Sequence, residues 1–110
     1  MSVLLPNQRL WATNQWIARR FFADALQWID AAPALEGEIR FCVDAEVDTL
    51  DLRHADKATL HAFAVLVKKI VDYRNTIGAS DFVVRDYFPI YMAKLVELDQ
   101  LIQATLNELS

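Results

Sequence analysis

Glycine, proline and cysteine are scarce in this 110-residue chain, at two, three and one. The two glycines, Gly37 and Gly78, stand 41 positions apart, so no glycine-rich loop can cradle a phosphate. A single cysteine, Cys42, rules out an intramolecular disulfide and points to a reducing compartment. Long apolar runs are missing as well. The densest, Ala62 to Val67, spans six residues, far short of the roughly 18 that cross a bilayer. The segment from Met1 to Leu5 lacks the basic start of a secretory signal. A cytoplasmic protein without a membrane span is the expectation. Positive charge is the minority sign: eleven Lys and Arg against fifteen Asp and Glu leave a net charge of −4. That balance makes nucleic acid an unlikely partner and disfavours anionic membranes, because phosphate neutralisation supplies most non-specific affinity for both.

Apolar residues are plentiful, at 55% of the chain, with twelve aromatics among them. Such a composition offsets chain entropy and predicts one folded domain over residues 1–110. Leu10, Ile17, Phe21, Ala25 and Trp28 recur at helical spacing and predict a first helix over 7–32, ended by Pro33. Thr13 and Asn14 offer a later start. The period then changes. Ile39, Phe41, Val43, Ala45 and Val47 alternate with Arg40, Cys42, Asp44, Glu46 and Asp48, the pattern of a half-buried strand. With Leu50 and Leu52 following, the expected element is a β-hairpin, 38–43 against 48–53, turning near Asp44 to Val47. Asp56 is a suitable N-cap for a helix from Lys57 to about Asn75, with Gly78 beyond its end. Residues 82–86 read equally as strand or helix. A last helix runs from Tyr87 to Leu109, with Pro89 in its first turn. The fold class expected is thus α+β and mostly helical: three long amphipathic helices packed with a short β-hairpin or two-stranded sheet.

Few constellations suggest chemistry. Asp51, His54, Asp56 and His61 contain two histidines seven residues apart, about 10 Å along a helix, too far to share an ion; no metal or cofactor is expected. Cys42 would lie on the polar face of the strand, within reach of His54 across the hairpin, which defines a small-enzyme alternative. Its neighbours Asp44 and Glu46 disfavour the thiolate that such chemistry needs, and no catalytic role is the preferred reading. Asp44, Glu46 and Asp48 on one strand face resemble paired carboxylates, but a row of this kind is ordinarily solvated. Arg19-Arg20 and Lys68-Lys69 are ordinary helix surface.

Charge patterning carries the most information. Residues 36–56 hold seven acidic and two basic side chains, a net −5 that exceeds the charge of the whole chain. An exposed acidic element steers a cationic partner. The sequence therefore predicts a non-catalytic protein-binding module: a small acidic inhibitor, immunity-type protein or adaptor. Its contacts with a basic partner protein would be Asp44, Glu46, Asp48 and Asp51. A homodimeric or assembly subunit, joined through the C-terminal helix or the hairpin edge, is the alternative.

Overall fold

The computed structural model describes residues 2–47 and 49–109. Two short strands, β1 (Ser2–Leu4) and β2 (Leu10–Ala12), precede α1 (Gln15–Gln27). Two 3-10 turns, Ile29–Ala31 and Pro33–Leu35, lead into α2 (Glu36–Asp44), followed by β3 (Thr49–Asp51), α3 (Lys57–Ile77) and α4 (Tyr87–Leu109). The fold is α+β and mostly helical, with four helices instead of three and a three-stranded sheet instead of a hairpin.

The sheet has the order β2-β1-β3. Val3 on β1 faces Trp11 of antiparallel β2 and Leu50 of parallel β3, and all three are buried. Strands of three residues are too short for alternation to register in the sequence, which is why 10–12 read as helix. Two facts hold this segment extended. Trp11 enters the core, edge-on to Phe21 with ring centroids 5.3 Å apart, and its indole N–H donates to the Lys94 carbonyl at 2.9 Å. Asn14 then caps α1, its side-chain oxygen accepting from the Ile17 N–H at 3.1 Å. The helix ends at Gln27, before Pro33, so the expected helix over 7–32 holds only in its middle.

The hairpin of 38–43 against 48–53 does not form. Residues 36–44 are helical, and β3 pairs with β1. Beneath the alternation lies a helical spacing that the core selects: Leu35, Ile39 and Cys42, four and three residues apart, are all buried. Glu36 and Glu38 sit in the first turn, where the helix dipole favours carboxylates. A lone helix also satisfies its own backbone, whereas a strand here would have needed a partner. The cost falls on the other apolar residues of the alternation: Phe41 is 60% exposed and Val43 40%.

The two long helices match expectation more closely. Asp56 caps α3, accepting from the Thr59 N–H at 2.8 Å, and Gly78 at φ 63° ends it. Residues 82–86 are neither strand nor helix; Phe82 is buried there and Val83 fully exposed. Pro89 falls in the first turn of α4. One contiguous apolar core joins all these elements. Inside it lies a polar cluster. Arg74 of α3 is 1% exposed and donates to both oxygens of Asp24 on α1, at 2.9 and 2.6 Å. The Tyr91 hydroxyl on α4 donates to the same carboxylate at 2.7 Å, and Arg74 reaches Asp81 at 2.6 Å. Asp24, a carboxylate on the first helix, is thus interior.

Candidate protein-interaction surface

The acidic segment folds as a helix and a turn, and this changes how its carboxylates are arranged. Glu36 pairs with Arg40 one turn on, at 3.6 Å. Asp51 on β3 accepts from the Arg53 guanidinium at 3.0 and 2.8 Å, and those bonds hold its carboxyl down at about 2. Asp56 is committed to capping α3, and the hydrogen bond from Thr59 lowers its pKa. Glu38, Asp44 and Glu46 are exposed, and none forms an ion pair among the described residues. Asp48 lies outside the described residues. Of the expected contacts, Asp44 and Glu46 therefore flank the C-terminal end of α2, and Asp51 lies on the neighbouring strand. They are not a row on one strand face.

Three features of α2 work against its own stability. Phe41 stands off the Leu35, Ile39 and Cys42 stripe and is largely exposed. Asp44 occupies the last turn, which contains no basic residue and where the dipole disfavours a carboxylate. Glu46 sits at φ 52° in the C-terminal cap. The Val47 N–H bonds back to the Cys42 carbonyl at 3.1 Å and the Glu46 N–H to that of Val43 at 3.4 Å, a Schellman arrangement whose left-handed position normally takes glycine. Locally costly choices cluster where a protein works.

Between α2 and β3 runs a groove of about 340 Å³ whose lining includes Glu38, Phe41, Cys42, Thr49, Leu50 and Asp51. It continues for about 360 Å³ past Leu52 and His54 towards the start of α3, with Glu38 and Asp51 common to both stretches. Its floor is apolar and its rim negative. Phe41 and Glu38 were not identified from the sequence as contacts. Phe41 stands off the Leu35-Ile39-Cys42 spacing, so reading 36–44 as a helix would have exposed it.

Cys42 is buried, not accessible as the strand register implies. Its thiol donates to the Thr49 carbonyl at 3.5 Å, and burial, then the nearby Glu38 charge, push its pKa up. No hydrogen bond joins it to His54 among the described residues. A thiol in this state reacts slowly. Iodoacetamide at pH 7.5 is expected to modify Cys42 at least tenfold more slowly than a free thiol until denaturant is added; rapid labelling of the native protein would contradict its burial. Among the described residues no group of three or more His, Cys, Asp or Glu could hold a metal ion, and no helix is long and apolar enough to cross a membrane. Arg20 is engaged with Asp81 at 3.2 Å and lies over Phe82, and Trp11 is interior, so neither offers a free platform for a nucleobase. No known protein family, curated protein or solved structure matches the chain.

Proposed function

We propose that the protein is a non-catalytic protein-binding module, a small acidic inhibitor, immunity-type protein or adaptor, that offers α2 and its groove to a partner with a basic surface. The observation that carries this is Phe41: a phenylalanine left 60% exposed between unpaired carboxylates. An aromatic anchor surrounded by charge is the usual anatomy of a binding hot spot. Glu38 and Asp51 on the groove, with Asp44 and Glu46 at the end of α2, steer the partner and fix its orientation.

Affinity capture with the tagged protein, at about 20 mM and about 500 mM salt, tests the charge component. The expected result is a stoichiometric basic protein held at low salt and released at high salt. The folded variant Glu38→Lys, Asp44→Lys, Glu46→Lys should retain less than about a tenth of it. Equal capture by wild type and this variant would overturn the reading.

One observation favours a homodimer instead. Val83, Val84, Tyr87 and Ile90 expose 100%, 44%, 46% and 49% of their surface around the start of α4, a concentration of apolar surface of the kind that forms interfaces. A dimeric mass in light scattering that reverts to monomer in Tyr87→Asp would favour that alternative. The hairpin edge plays no part in it, since the hairpin is absent.

A further inference from the structure

The sheet ends in two edges, and only one of them is covered. The free side of β3 faces α2, where the Thr49 carbonyl accepts from the Cys42 thiol at 3.5 Å, and the paired charges of Asp51 and Arg53 follow it. β2 has no such cover. At the turn between β1 and β2 the Leu5 N–H donates to the Arg9 carbonyl at 2.9 Å. Hydrogen-bonded pairs alternate along an antiparallel ladder, so Trp11 exchanges bonds with Val3 while the N–H and C=O groups of Leu10 and Ala12 point away from β1. Both residues are exposed, and among the described residues neither backbone finds another partner. Edge strands are ordinarily blunted by a charge, a proline or a bulge. Leu10-Trp11-Ala12 has none of these, and Leu10 leaves 51% of its surface in water.

Such an edge pairs with an extended backbone, and the surroundings choose which one. The charges bordering β2 are already matched, Arg9 with Glu108 at 2.7 Å and Lys94 with Glu97. A charged strand gains nothing there, and an identical copy meets no repulsion. The edge is also complementary to itself. Set antiparallel about a two-fold axis at Trp11, Leu10 of each copy exchanges both bonds with Ala12 of the other, as a closed dimer requires. Strands this short bury far less than the roughly 1,200 Å² of a stable interface, and α4 supplies more surface beside them. Tyr87, Lys94 and Glu108 stand at multiples of seven, on one side of the helix, and each touches the segment carrying β2: Trp16 stacks on Tyr87 at 4.9 Å, the Trp11 indole reaches the Lys94 carbonyl and Arg9 holds Glu108. Tyr87 and, one turn on, Ile90 are 46% and 49% exposed. We propose that the protein forms a symmetric dimer through the β2 edge, joining two sheets into one, with Tyr87 and Ile90 extending the contact. This rests on the homodimer reading and gives it an axis; α2 lies at the opposite edge of the sheet, so each copy keeps its acidic surface free.

Light scattering and amide hydrogen exchange on the full chain test it. The expected result is a dimer at about 500 µM that dissociates on dilution to about 5 µM, with the Leu10 and Ala12 amides exchanging about tenfold more slowly in the dimer. The Trp11 amide, already bonded to Val3, is the internal control. Leu10→Pro with Ala12→Pro should weaken the dimer about tenfold or more, because each change removes only an outward donor and edge strands accept proline. Leu10→Lys alters an exposed side chain and should weaken it similarly, which keeps the test open if the proline variant does not fold. A monomer at both concentrations, a dimer whose Leu10 and Ala12 amides gain no protection, or a folded Leu10→Lys variant that dimerises as well as the wild type would each overturn the proposal. If that variant stays dimeric while Tyr87→Asp is monomeric, a homodimer stands but not one built on β2. Partner capture through α2 is a separate result in every case.

Discussion

Arg74→Met is expected to lower the free energy of unfolding by about 3–5 kcal/mol, a large share of the roughly 5–15 kcal/mol available to a domain. The Arg74 guanidinium is almost wholly interior and donates to Asp24 twice and to Asp81 once. Removing it strands the Asp24 carboxylate in the core with only the Tyr91 hydroxyl to answer it. Isolated burial of charge, more than loss of attraction, is the source of the penalty. Two consequences separate this account from simple loss of packing. The double variant Asp24→Leu, Arg74→Met should be less destabilised than the two single changes added together, because no charge is then left alone. Tyr91→Phe should cost only about 1–2 kcal/mol, the price of one hydrogen bond to a charged group. Urea midpoints for the four variants decide the matter, and a loss below about 1 kcal/mol for Arg74→Met would mean that the buried pair contributes no such stability.

The pH dependence follows from the same cluster. The Arg74 hydrogen bond holds Asp81 below the usual carboxylate range. That lowered value stabilises the fold above about pH 4 and is lost as the pH falls through it. Burial, with the Asp24 charge, raises the Tyr91 hydroxyl far above its ordinary value. Its contribution is complete below about pH 10 and disappears as the pH rises further, because only the unfolded chain can then ionise it. The thermal midpoint should therefore fall on both flanks, and Tyr91→Phe should flatten the alkaline one.

How much of this was legible in the sequence differs from element to element. The second long helix could be read because Leu60, Phe63, Ala64, Val67 and Ile70 repeat over about three turns between an N-cap and a glycine. The last helix was legible for the same reason, although its true stripe passes through Tyr91. Residues 39–43 were misread because a nine-residue helix needs only three buried positions, and Leu35, Ile39 and Cys42 overlap a stronger alternating pattern. β1 and β2 are set by Trp11 reaching across to α4, a contact 83 residues away that no local period encodes. Asp24 had a weak signal: it stands three residues after Phe21 and four before Trp28, inside the stripe and not outside it. Only its partner, fifty positions later, explains the burial. The acidic bias of 36–56 was visible; that Phe41 stands at its centre required the helix.

Phe41→Ala combined with Glu46→Gly should separate binding from stability, and it is the sharpest test of a surface built for a partner. In an exposed position Phe41 contributes little to folding, so its truncation should shift the unfolding free energy by under about 0.5 kcal/mol. Glu46→Gly removes a left-handed strain of about 1 kcal/mol at the cap of α2. The double variant should therefore unfold at an equal or higher temperature than the wild type. Partner affinity should move the other way. Loss of an aromatic hot spot costs about 2 kcal/mol or more, near thirtyfold in Kd, and loss of the Glu46 charge adds to it. Most mutations that abolish binding at a distance do so by unfolding, and they lower both quantities together. A protein that becomes more stable while losing its partner can have kept Phe41 and Glu46 only for what they touch. If the double variant instead binds as well as the wild type and is less stable, the exposed ring and the strained turn support the fold, and the acidic helix is ordinary surface.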